Sequence, residues 1–133
     1  MIEKIKHRIK ELESELLEIR RHIHTHPELS FEEVETAKYI SAALTRHNIE
    51  HKTGIAGTGI LAIINPEKTN RIALRADIDA LPILEESGAS YASQNRGVMH
   101  ACGHDVHTTC ALGAAIVLNE FKEDINGRVE IIF

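Results

Sequence analysis

Several of the features that most readily assign a chain are missing from these 133 residues. Two cysteines, Cys102 and Cys110, are too few for a disulfide framework, so the expected setting is the reducing cytoplasm. There is no run of about 18 apolar residues, which excludes a membrane-spanning helix and predicts no membrane partner. The opening residues, Met1-Ile2-Glu3-Lys4-Ile5-Lys6, lack the apolar stretch of a signal peptide. Basic residues are in deficit: 15 Lys and Arg against 20 Asp and Glu leave a net charge of −5. That balance speaks against a nucleic-acid partner, which selects for clustered Lys and Arg. The Gly-x-Ser-x-Gly elbow, the P-loop, His-Glu-x-x-His and Cys-x-x-Cys are all absent, and Gly57-Thr58-Gly59 is too short for a dinucleotide fingerprint. Repeats and low-complexity tracts are absent as well. With 43% hydrophobic and 26% charged residues, the expectation is one compact domain.

Histidine is what the chain has in excess. Of nine histidines, six fall in two clusters: His22, His24 and His26, then His100, His104 and His107 around Cys102. Imidazole is the commonest metal ligand and titrates near neutral pH, so this composition points to a metal or acid–base site.

Ile2, Ile5, Ile9, Leu12, Leu16, Ile19 and Ile23 recur at spacings of three and four, predicting a helix from residue 1 to about 24 that Pro27 ends. Ser30-x-x-Glu33 reads as a capping box for a second helix, with Phe31, Val34, Ala37, Tyr39, Ile40 and Leu44 on one side. Gly54, Gly57 and Gly59 mark a loop, residues 60–64 and 71–75 read as strands, and residues 78–98 form a long aperiodic loop. A third helix is expected from Val106 to about Lys122, its core stripe running through Val106, Cys110, Ala114, Val117 and Phe121. Asn126-Gly127 then turns into a last strand. A strand–helix–strand order predicts an α/β fold with a mainly parallel sheet flanked by helices. The apolar ending Ile131-Ile132-Phe133 carries no polar tail and reads as a strand cut short.

Three segments carry candidate chemistry. In Met99-His100-Ala101-Cys102-Gly103-His104-Asp105-Val106-His107, an extended stretch over 98–104 would place His100, Cys102 and His104 on one face. Thiolate and imidazole suit Zn²⁺ or a similar ion, whereas the plainer reading makes Cys102 a small buried hydrophobe. Asp105 would cap the following helix or orient a ligand histidine. In Leu74-Arg75-Ala76-Asp77-Ile78-Asp79-Ala80-Leu81-Pro82, two aspartates follow a strand; they would bind metal, hold a ligand histidine or cap a turn. In Arg20-Arg21-His22-Ile23-His24-Thr25-His26-Pro27-Glu28-Leu29, basic residues suit a helix C-terminus, so a structural role is expected there. His7, His47 and His51 are expected at the surface, and Cys110 in the core.

Together these segments resemble the M20 family of metallopeptidases and amidohydrolases, in the branch of N-acyl-amino-acid deacylases, hippurate hydrolases and plant auxin-conjugate hydrolases. The matching residues are Arg20-Arg21-x-x-His24-x-x-Pro27-Glu28-Leu29, Arg75-Ala76-Asp77-x-Asp79-Ala80-Leu81-Pro82 and Met99-His100-Ala101-Cys102-Gly103-His104-Asp105-x-His107. The resemblance implies a metal-dependent amidohydrolase with two divalent ions (Zn, Mn, Co or Ni) and a small N-acyl amino acid or peptide substrate. It implies Cys102 and His104 as metal ligands and a general-base glutamate beyond residue 133. Other branches carry a His-x-Asp motif where Arg75-x-Asp77 stands here; the histidine that the aspartate steadies there is missing, and Asp77 is carried over only as a residue behind the ligands. By this resemblance residues 1–133 are the N-terminal portion of the catalytic domain, without the lid or dimerisation domain. The alternative is a non-catalytic metal-binding or interaction module left by truncation.

Overall fold

A computed structural model describes all 133 residues. Two helices, α1 (Ile2–Thr25) and α2 (Val34–Arg46), are followed by three strands, β1 (Glu50–Ile55), β2 (Gly59–Ile64) and β3 (Arg71–Arg75), then by helix α3 (His104–Glu120) and strand β4 (Arg128–Ile132). None of the helices is long and apolar enough to cross a membrane.

The sheet runs in the order β1-β2-β4-β3. β3 and β4 are parallel, as the crossover through α3 requires, but β1–β2 and β2–β4 are antiparallel. The sheet is therefore mixed, not mainly parallel. The strand behind the difference is β2, which runs antiparallel to both its neighbours, while β1 is a strand the sequence pattern does not announce. Its Glu50-His51-Lys52-Thr53-Gly54-Ile55 sequence shows no apolar alternation, because it lies at an edge and buries almost nothing. Backbone pairing with β2 is what makes it a strand.

The core lies between the helices and one face of the sheet. Leu12, Ile19 and Ile23 of α1, Ile40, Ala43 and Leu44 of α2, and Leu112, Ala115 and Ile116 of α3 meet Ile60, Ala62 and Ile64 of β2 and Val129 and Ile131 of β4. In α1 the expected stripe holds, although its outer members Ile2 and Ile9 are exposed. α2 begins three residues later than the Ser30 cap predicts. Glu28 supplies the cap instead, its two carboxylate oxygens accepting the amide protons of Glu35 and Thr36 at 3.0 and 2.7 Å. Glu33 turns away to accept the Thr58 hydroxyl, and Phe31 and Val34 are exposed.

α3 is rotated relative to its expected stripe. Val106 and Cys110 are exposed, and the buried face runs through Thr108, Ala111, Leu112, Ala115 and Ile116. Where α3 lies directly against α1, small residues stand beside Leu112 and Ile116 on the inward face. A Cβ built on Gly113 would sit 3.2 and 3.3 Å from the two methyl carbons of Leu16.

That contact makes a prediction. Gly113→Ala is expected to be near neutral in urea denaturation, because about 1 kcal/mol of helix propensity offsets a slight displacement of Leu16. Gly113→Val is expected to wedge α1 from α3 and destabilise by about 1–3 kcal/mol.

Candidate metal centre

Two segments converge at the C-terminal end of β3. The first leaves the strand at Ala76, whose amide proton bonds the Ile132 carbonyl at 2.9 Å. Asp77 and Asp79 then alternate with the buried Ala76, Ile78 and Ala80. The chain between them and α3 is long but anchored. Leu81 and Met99 exchange two backbone hydrogen bonds at 2.9 Å, and the Ala80 and Gln94 amides donate to the Glu28 and Thr25 carbonyls, both at 2.8 Å. The end of α1 and the loop it leads into thus hold the 76–103 segment.

The second segment does not stay extended to residue 104. It bends at Cys102 and Gly103, and α3 opens at His104. Gly103 has φ +92°, a left-handed conformation that side chains with a Cβ rarely adopt. His100, Cys102 and His104 therefore do not share a face. His100 is buried, Cys102 is exposed, and the His104 side chain is half-buried.

His104 is held at one nitrogen only. Its Nδ1–H donates to the Asp79 carboxylate at 2.9 Å and to the Asp79 carbonyl at 3.0 Å, which leaves the lone pair on Nε2. Carboxylate-held Nδ1 with free Nε2 is the arrangement a ligand histidine requires. Of the two aspartates, then, Asp79 is the one that holds this histidine. The Asp77 carboxylate takes the Arg75 guanidinium at 2.6 Å, and its carbonyl accepts the Thr108 hydroxyl of α3 at 3.1 Å. No group of three or more His, Cys, Asp or Glu side chains stands close enough to hold an ion. The residues fit a metal in one respect, a thiol and a free imidazole nitrogen two positions apart at a turn. They supply a partial donor set.

Behind these donors lies a buried polar cluster. Neither ring nitrogen of His100 has a partner. Burial pushes this imidazole down to about 4, with His24 and His104 acting the same way against Asp105 and Asp79, so the ring is neutral at neutral pH. Asp105, in the first turn of α3, is almost wholly buried and accepts His24 Nδ1–H at 2.7 Å. Arg20 Nε lies 3.0 Å from the same carboxylate oxygen without a directed hydrogen bond. His24 Nε2 reaches Glu85 at 3.0 Å. The sequence gives no sign of Glu85, which sits in an aperiodic loop 61 residues from its partner. His47 and His51 are half-buried on Glu15 and Ser41, while His7 is exposed as expected.

A 440 Å³ cavity opens beside His104, with Phe31, Arg75, Asp77, Asp79 and Phe133 among its walls. A larger one of 710 Å³, by His22 and Tyr39 between α1 and α2, contains none of the donor residues. The chemistry therefore favours the smaller.

Comparison with known proteins agrees with these motifs. The model of peptidase family M20/M25/M40 matches residues 73–133. N-acetyl-L-cysteine deacetylase of Bacillus subtilis (strain 168) is 48% identical over 123 residues, 92% of this chain and 30% of that protein. N-acyl-L-amino acid amidohydrolase of Geobacillus stearothermophilus is 40% identical over 98% of this chain and 36% of its own length. The crystal structure of the Bacillus subtilis YXEP protein, a dinuclear metal binding peptidase from the M20 family, superposes with a TM-score of 0.88 at 45% identity, covering 93% of this chain and 35% of that one. The chain belongs to peptidase family M20/M25/M40. It spans about a third of the length of the M20 relatives it matches.

Glu85 gives this M20 chain an acid-sensitive point. Burial alone would raise its pKa, but the Ser87 hydroxyl, the Ser93 amide and His24 outweigh it and hold the carboxyl at about 2 instead of 4.5. A depressed carboxyl stabilises the fold above its unfolded pKa, and that stability is lost as pH falls from about 4.5 towards 2. Glu85 lies in a loop flanked by exposed residues, so the loss is expected to be roughly 2 kcal/mol. Urea denaturation at pH 6 and pH 3 checks this, with Glu85→Gln expected to remove most of the difference.

Proposed function

We propose that residues 1–133 are the N-terminal portion of the catalytic domain of a metal-dependent amidohydrolase, and that Cys102 and His104 are two of its metal ligands. The substrate class is the N-acyl amino acid or small peptide-like amide, cleaved to an amine and a carboxylate. The observation that carries this reading is the state of His104. Its Nδ1 is committed to Asp79 and its Nε2 is free, one turn of backbone from an exposed thiol. The names of the relatives support the reaction class: an N-acetyl-L-cysteine deacetylase and an N-acyl-L-amino acid amidohydrolase are among the similar proteins.

When bound, divalent ions supply the Lewis acidity that polarises an amide carbonyl and activates water for attack. This chain's residues do the holding. Asp79 fixes the tautomer and direction of His104, and Gly103 turns the backbone between Cys102 and the start of α3 at His104. Asp77 is tied to Arg75 and to α3, and so sets the distance between the β3 exit and the first turns of that helix. The general-base glutamate and the remaining ligands are assigned to positions beyond residue 133. With two donors in hand, a non-catalytic metal-binding module is the second reading, and hydrolysis by a longer chain separates the two.

Two outcomes follow. Titration of the purified chain with Co²⁺ is expected to give a thiolate-to-metal absorption band that Cys102→Ser abolishes and His104→Ala weakens at least tenfold. The same chain is expected to release no amino acid from N-acyl substrates, for want of the general base. Release that Cys102→Ala abolishes would overturn that assignment.

A further inference from the structure

His24 is buried, and nothing in the proposed chemistry uses it. Three elements meet on its ring: Asp105 from α3 at Nδ1, Glu85 from the long loop at Nε2, and Arg20 one turn back on α1, 3.5 Å from Nδ1. The ring thus faces a carboxylate at each nitrogen. Glu85 also accepts from the Ser93 amide at 2.6 Å and the Ser87 hydroxyl at 2.5 Å, and the Asp105 carboxylate faces Arg20. The remaining neighbours bring no competing charge: Tyr91 stands edge-on at 5.6 Å and His100 at 6.4 Å between ring centroids. His24 and Arg20 of α1 thus meet Asp105 of α3 and Glu85 of the long loop in one closed cluster.

Asp105 follows His104 directly, in the first turn of α3. A grip on Asp105 fixes the rotation of that turn, and with it the direction in which His104 leaves the helix. We propose that His24 is a positioning residue: its ring bridges Asp105 and Glu85 through its two nitrogens and thereby sets the geometry of His104 and Cys102. The inference rests on the reading of those two residues as metal donors, because the geometry it sets is theirs.

The test uses the 133-residue chain itself. In Co²⁺ titrations His24→Gln is expected to bind at least tenfold more weakly than wild type and Glu85→Ala also more weakly, with the double variant no weaker than His24→Gln alone, because each change breaks the same bridge. Binding by His24→Gln within twofold of wild type, or losses that add in the double variant, overturns the proposal. If the wild-type chain takes up no Co²⁺, the donor reading fails by itself, and the backbone amide shifts of Cys102 and His104 decide: displaced in Glu85→Ala, which touches neither residue, they uphold the bridge; unmoved, they overturn it. If His24→Gln does not fold, Glu85→Ala alone carries both readouts.

Discussion

A carboxylate with almost no exposure has to be compensated where it stands, and Asp105 sets that condition for this molecule. Moving an ion of this size out of water costs several kcal/mol even after relaxation, so uncompensated burial would unfold the first turn of α3. The compensation comes from α1, which must end where His24 and Arg20 reach α3 and must lie close enough for both to do so. The small residues on the inner face of α3 permit that approach. Glu85 brings in the otherwise irregular 76–103 segment. Helix contact, loop path and donor turn are in this sense consequences of placing one acid next to His104.

The sequence was legible where periodicity and covalent chemistry spoke. The α1 stripe, the strands at 60–64 and 71–75 and the crossover through α3 follow from spacing alone, and the M20 resemblance from three short motifs. Misreadings share a cause: the deciding interaction was non-local. β1 is a strand through its pairing with β2, not through any pattern of its own. Glu28 caps α2 from outside the capping box. Cys110 reads as core because sulfur and valine outweigh threonine and alanine by hydrophobicity, but the contact with α1 turns Thr108, Ala111 and Ala115 inward with Leu112 and Ile116.

The candidate site divides the same way. Cys102, His104 and the aspartate pair were visible as donors at metal-ligand spacing. The role of His24 was not, because its partners lie 81 and 61 residues away. Nothing near Glu85 in the chain distinguishes it from its neighbour Glu86. Nor does spacing tell Asp79 from Asp77: two identical side chains two residues apart differ only in which way the backbone turns after β3. Structure adds most where identical chemistry has to be told apart by direction.

β3 has one consequence for how copies of this chain behave towards each other. It is an edge strand, with Ile72 and Leu74 exposed along it. Such an edge offers unpaired amides and carbonyls to any other extended chain. Arginines stand at both ends, Arg71 and Arg75, with Ala73 midway between them. Two copies docking antiparallel about Ala73 would set Arg71 of each against Arg75 of the other. Of these, Arg75 is partly neutralised by Asp77, so the repulsion falls mainly to Arg71. The five residues that carry the chain towards its candidate site thus place charge at their ends rather than polarity along their length, which disfavours an antiparallel pairing of two such edges.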